Sequence, residues 1–408
     1  MAKESLEIRG IRAELSTSPS ELEKLAEEIS VEEADTDPYN FKRKNEFSFV
    51  RVAIAENVNT PIEVLEKLAK LKGEENMKVQ GGVARNANTP APLMEKLAGD
   101  EDDNVRSDIA ENQNTPVPVL EKLAEDEKDH IRCRVAENVN TPVSLLEKLS
   151  TDEWFVLASV AENKNTPIPL LEKLAEDENE DVRIAIGRNE NAPALLLEKL
   201  AEDKNEGVRE NVAENANTPA SALEKLAKDK DEGVRGGVAR NANTPIPLLE
   251  NLAQDKNESV RGGVAGNENV PITVLEALAK DNEEWVRTPV AENANTPASA
   301  LKKLAEDENE FVRSSVALNK KTPVSVLEKL GQDDEESLVR KRVAANPNTP
   351  VDVLQQLAED ENSNVRYTVA MKGDAPLPLL KMLVKDKDKM VKKRARKALL
   401  ILEYQAAE

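Results

Sequence analysis

From about residue 49 to residue 384, apolar and polar positions return in one order, copy after copy. One copy opens Val208-Arg209-Glu210-Asn211-Val212-Ala213-Glu214-Asn215-Ala216-Asn217-Thr218-Pro219. In the next copy Val234 and Val238 stand four apart with Ala239 beside them, enough for one narrow buried stripe. Leu248, Leu249, Leu252 and Ala253 then gather on one side at helical spacing, while Glu250 and Asn251 turn away. The pattern predicts two helices per copy: helix A over the Val-Arg segment and helix B over the Leu segment. Prolines mark the register. They fall at residues 61, 90, 116, 142, 167, 193, 219, 245, 271, 297, 323, 350 and 376, a period of 26 that slips by a residue or more only at three steps. Self-similarity held this long is the signature of a repeat protein.

Local chemistry places the boundaries. Thr244 reads as an N-cap and Pro245 as the first residue of helix B, where a missing N–H costs nothing. The second prolines Pro92, Pro118, Pro169, Pro247 and Pro378 still fall within a first turn. An Asn closes helix A in nearly every copy, such as Asn215, Asn241 and Asn267; it tolerates a left-handed terminus, and its amide can bond free carbonyls. Helix A is expected to be short. It contains the pairs Gly81-Gly82, Gly236-Gly237 and Gly262-Gly263, and it contains Pro289, which costs about 3 kcal/mol in a helix interior. These residues suit a first turn or a 3₁₀ segment. The fold class expected is all-α: an α-solenoid of about thirteen two-helix repeats, each one α-helix plus one short α- or 3₁₀-helix.

Composition fits thin stacked layers better than one globule. The chain has 408 residues, only 2% aromatic and 33% charged, so its core must be Ala, Val and Leu. A net charge of -22 argues against nucleic acid and anionic membranes, whose phosphates need clustered Lys and Arg. No apolar run is long enough for a membrane span or signal peptide, so the expected location is cytoplasmic.

The block Val208 to Pro219, with its short Gly-tolerant helix, resembles the leucine-rich-repeat variant family over residues 49–384. The resemblance implies a right-handed superhelix without β-sheet. Members of that family can carry a cysteine-ligated iron–sulfur module, but the single Cys133 excludes it here, and no cofactor is expected. Asp and Arg six apart (Asp177 and Arg183, Asp203 and Arg209, Asp229 and Arg235) are also similar to HEAT repeats. The Asp is expected to cap the next helix A. The Arg is expected to reach a neighbouring Asp or free carbonyls, giving ladders along the stack.

The ends depart from the consensus. Residues 1–48 read as a capping repeat and loop: Ser18-Pro19 to Ala26 is a degenerate helix B, and the period breaks over 27–48 with a loop at Asp35, Asp37 and Pro38. Residues 385–408 read as a basic capping helix, with Val391, Ala395, Leu399 and Leu402 on one face. Its lysines and arginines, Lys392, Lys393 and Arg394 among them, alternatively offer an acidic partner a docking patch.

Candidate chemistry is sparse. His130 and Cys133 lie three apart on one helix A, a nucleophile pair in principle but more simply a surface His and a packed Cys. Asp229-Lys230-Asp231-Glu232-Gly233 imitates the start of a calcium loop, yet the closing position is Arg240. No catalytic residue and no metal site are expected.

Departures from the repeat point to binding. The residue before the first Val of helix A is usually polar or Gly, but becomes Trp285, Phe311 and Leu338 in three successive copies. The residue before the Asn, usually Glu or Arg, becomes Leu318, Ala345 and Met371. Trp154 and Phe155 form a smaller irregularity, with Leu157 in place of the repeat Arg. These side chains either tuck into the packing or form an apolar stripe for a partner over residues 280–375. The expected function is a non-enzymatic scaffold for a protein or peptide. A subunit of an enzyme or cofactor-assembly complex, or a self-assembling structural protein, remains the alternative.

Overall fold

The computed structural model describes residues 9, 12–14, 16–34, 41–71, 77–373 and 375–405. The described residues are helical throughout, without a strand, and consecutive helices pack on one another as in an α-solenoid. Two compact units divide the chain, 1–196 and 197–408. Each is built in the same way.

Within a unit, helix A packs on the helix A of the following copy, and helix B lies against the helices A on either side of it. Helix A is a regular α-helix of nine residues, for example Glu206–Glu214 and Glu232–Arg240. Helix B is the shorter one, seven residues from Ala220 to Leu226. The tight bonds expected in helix A lie instead just past helix B, where the amides of Lys228 and Asp229 reach back three residues to Lys225 and Leu226. Helix A remains α because its neighbours fill what its glycines lack. A Cβ on Gly237 would sit 3.0 Å from both the Ala213 Cβ and the Glu210 carbonyl oxygen, so glycine there sets a close helix-to-helix approach.

Pro289 lies inside the α-helix Glu284–Glu292. It has no N–H for the Trp285 carbonyl four residues back. That oxygen lies 3.0 Å from the Cβ position on Gly262, a contact that glycine relieves. The two departures from consensus are therefore complementary.

The core is a repeated layer of Val, Ala and Leu: Val208, Val212, Ala213, Leu223 and Leu226 are buried, as are Val234, Val238, Ala239, Leu249 and Leu252. Polar ladders lock one layer to the next. The buried Asn241 amide donates to the carbonyls of Ala213 (2.7 Å) and Asn215 (2.9 Å) in the preceding copy, while its oxygen accepts from the Asn243 amide. Asn112, Asn138, Asn163 and Asn189 repeat the arrangement in the first unit. The Asn backbone is extended, with φ -65° and ψ 123° at Asn241, and not left-handed as its residue type suggests. Bonding across to the previous layer requires the chain to leave the helix straight. Thr244 is likewise no N-cap: its hydroxyl donates back to the Val238 carbonyl at 2.6 Å, and Pro245 takes the cap position of helix B.

The Arg ladder forms as its spacing suggests. Arg235 grips Asp255 through Nε (2.7 Å) and Nη2 (3.0 Å) and donates Nη1 to the Asp229 carbonyl. Asp255 accepts in turn from the Asn257 amide. Capping of helix A falls to the residue two further on: Asp231 accepts from the amides of Gly233 and Val234. At the ends, helices span Pro19–Ala34, Phe41–Glu56 and Lys389–Gln405. The helices cover much of the stretch where the sequence period breaks, and the loop expected at Asp35, Asp37 and Pro38 lies outside the described residues.

Candidate binding face

Helix A presents its second and ninth residues away from the core, since positions seven apart return to one side of an α-helix. Trp285, Phe311 and Leu338 occupy the second position, and Leu318, Ala345 and Met371 the ninth. They therefore share one face in successive copies of the second unit. Trp285 is 69% exposed and Phe311 55%; Leu318 and Met371 are exposed as well, and Leu338 is half-buried. Met390, at the second position of the last helix, is 60% exposed and extends the same column. The sequence signal for it was its place just before Val391, obscured by the surrounding lysines.

Trp154 and Phe155 belong to the first unit and form their own edge-on pair, ring centroids 5.5 Å apart at 73°. Trp154 is exposed and Phe155 half-buried. A second feature was not read from sequence. The residue after each repeat proline is often an exposed aliphatic, as at Val117, Val143 and Ile168 in the first unit and Ile246, Ile272 and Val324 in the second. In the repeat pattern these residues look like part of the helix B core stripe.

The helix A face changes its charge along the second unit. From Glu206 to Glu310, five copies begin helix A with Glu, whereas Ser337, Ser363 and Lys389 take that place later. Lys341, Arg342 and Lys393 are exposed at its C-terminal end. Within the acidic stretch lies a depression of about 720 Å³ lined by Arg240, Glu258, Ser259, Gly262, Gly266 and Trp285.

Acid–base chemistry finds little to work with. Burial pushes the Cys133 thiol up, so it is protonated at neutral pH, and His130 is exposed beside Asp129. The Arg235 side chain holds the Asp255 carboxyl below the usual carboxylate range, and Arg261 does the same for Asp281. These shifts belong to the ladder, which has its own structural partners. No group of three or more His, Cys, Asp or Glu poised for a metal occurs among the described residues. No helix among them is long and apolar enough to cross a membrane.

No family model matches the chain, and no curated protein does. Solved structures of helical repeat proteins are similar to it. A leucine-rich repeat variant with a novel repetitive structural motif is 28% identical over 55% of this chain and 88% of its own length, with a TM-score of 0.39. UNC-45 from Drosophila melanogaster is 14% identical, covering 93% of this chain and 62% of that one, at a TM-score of 0.26. Kap121p is 11% identical, covering 96% of this chain and 49% of its own, at 0.31.

Proposed function

We propose that the protein is a non-enzymatic scaffold in the cytoplasm that holds a protein or peptide against the helix A face of residues 280–375. One observation carries this reading: large apolar side chains stand exposed at equivalent positions in successive copies, on helices fixed by the Asn and Arg ladders. Scattered apolar residues need no explanation, but a column on a rigid frame with an aromatic anchor is how partner sites are built. Residues 385–408 then serve as the basic cap of the array, residues 1–48 as its opposite end, and 49–384 as the body.

The test is a double variant, Trp285→Ala with Phe311→Ser. Both side chains are exposed, so circular dichroism should be unchanged and stability should move by about 0.5 kcal/mol or less per site. A partner isolated with the wild-type protein, identified, purified and titrated back, should lose most of its affinity for the variant. Undiminished binding by a folded variant rejects the face.

A further inference from the structure

We infer that the depression beside Trp285 receives the Lys or Arg side chain of an extended peptide whose apolar residues continue over Phe311. This rests on the helix A face being the docking surface and adds the chemistry of its occupant.

Shape comes first. In the ninth position of helix A, Glu214 and Arg240 are followed by Gly266 and then Glu292. A Cβ built on Gly266 meets nothing within 4 Å, so the missing side chain leaves open space. Gly262, buried, and Gly263, half-buried, line the floor of the same place. Trp285 forms one wall. Its exposed ring has no aromatic partner among the described residues.

Charge selects the guest. Arg240 lines the depression but is already held by Glu214, through Nε (2.9 Å) and Nη2 (2.6 Å), with Glu210 at 3.4 Å. Its one positive charge faces two carboxylates. Glu258, also in the lining, makes no ion pair among the described residues. Glu284 precedes Trp285, and Glu292 lies one face-turn beyond it, accepting from the Ser315 hydroxyl. The local field is negative, so a carboxylate or phosphate is repelled and a cation is drawn in. A cation seated on an indole face gains about 0.5–2 kcal/mol.

Spacing sets the pattern. Neighbouring helices A pack at roughly 8–10 Å, and a peptide in the polyproline II conformation advances about 3.1 Å per residue and returns its side chains to one side every third residue. Three residues of peptide therefore match one copy, which places an apolar side chain on Phe311 three residues from the cation.

The two tryptophans of the chain make the test direct, because Trp154→Phe leaves Trp285 as the sole indole. The probe is a blocked peptide Leu-Ser-Gly-Arg-Ser-Gly-Leu, read in either direction, with the same peptide carrying Glu for Arg as control. The Arg peptide should shift Trp285 emission saturably, and the Glu peptide should not. Gly266→Arg fills the space with a residue the repeat already uses at Arg240, so it should fold normally and weaken binding by about tenfold or more. An emission shift with the Glu peptide, an unchanged affinity in Gly266→Arg, or no saturable response to the Arg peptide overturns the inference. Loss of a purified partner from the Trp285/Phe311 double variant without any response to the Arg peptide keeps the docking face and rejects its cationic guest.

Discussion

At the scale of single residues, the Asn that closes helix A does more than its type suggests. Asn241 makes three hydrogen bonds from a buried position, two of them into the preceding layer. Asn241→Ala takes a donor from the Ala213 carbonyl and leaves the Asn215 carbonyl with the Thr218 amide, so about 1–3 kcal/mol is expected for the Ala213 group. Chemical denaturation should show a loss of about 1–3 kcal/mol. The glycines separate into two kinds. Gly237→Ala drives a methyl into Ala213 and the Glu210 carbonyl and should lower the melting temperature. Gly266→Ala meets open space in a helical position, so it should raise stability by about 0.5–1 kcal/mol. A pair of melting curves distinguishes them. Sequence alone located Gly237 but not its neighbours, and Gly266 did not stand out in it, which is why the two could not be ranked. The Asn and Thr roles were misplaced for a related reason: their partners lie in a different turn or layer, and capping rules describe only bonds within one helix.

At the scale of elements, the two-helix period and the Arg–Asp ladder were legible because both are strictly local in register. Helix length was not. Gly and Pro signal a weak helix when it stands alone, whereas here each helix A is held between two others. The ladder also has a gap. Leu157 stands where most other copies have Arg, and the Asp177 carboxylate is left with the Asn179 amide as its hydrogen-bond donor. Leu157→Arg should restore the bidentate pair and stabilise the protein by about 1 kcal/mol, a well-formed fork lying at the favourable end of partly exposed pairs. Conversely, Arg287→Lys keeps a charge near Asp307 but loses the fork at Nε (2.6 Å) and Nη2 (2.9 Å). Its melting temperature should fall. The exposed apolar column was readable as a set of departures from the repeat; the depression beside Trp285 was not, since it forms from residues that are missing.

At the scale of the whole molecule, stability is set by layers coupled to their neighbours and by a net charge of -22. The ladder carboxylates give the pH dependence its sign. Asp255 and Asp281 are held below their ordinary range by Arg235 and Arg261, so the unfolded chain binds their protons more readily than the folded one. Their contribution is present above the unfolded value and is lost as pH falls through the folded one. Surface carboxylates act the other way, because protonating them relieves self-repulsion. The melting temperature should therefore hold from neutral pH down to about 5 and collapse below about 4, which a pH series of thermal scans reads directly. In such a stack each copy is held only by the copies beside it. Hydrogen exchange of Asn241→Ala against the wild type reads this coupling layer by layer. Faster exchange confined to the copies around the altered layer, about residues 206–267, with helices of residues 77–149 unchanged, is the predicted result; equal loss of protection in every helix contradicts it.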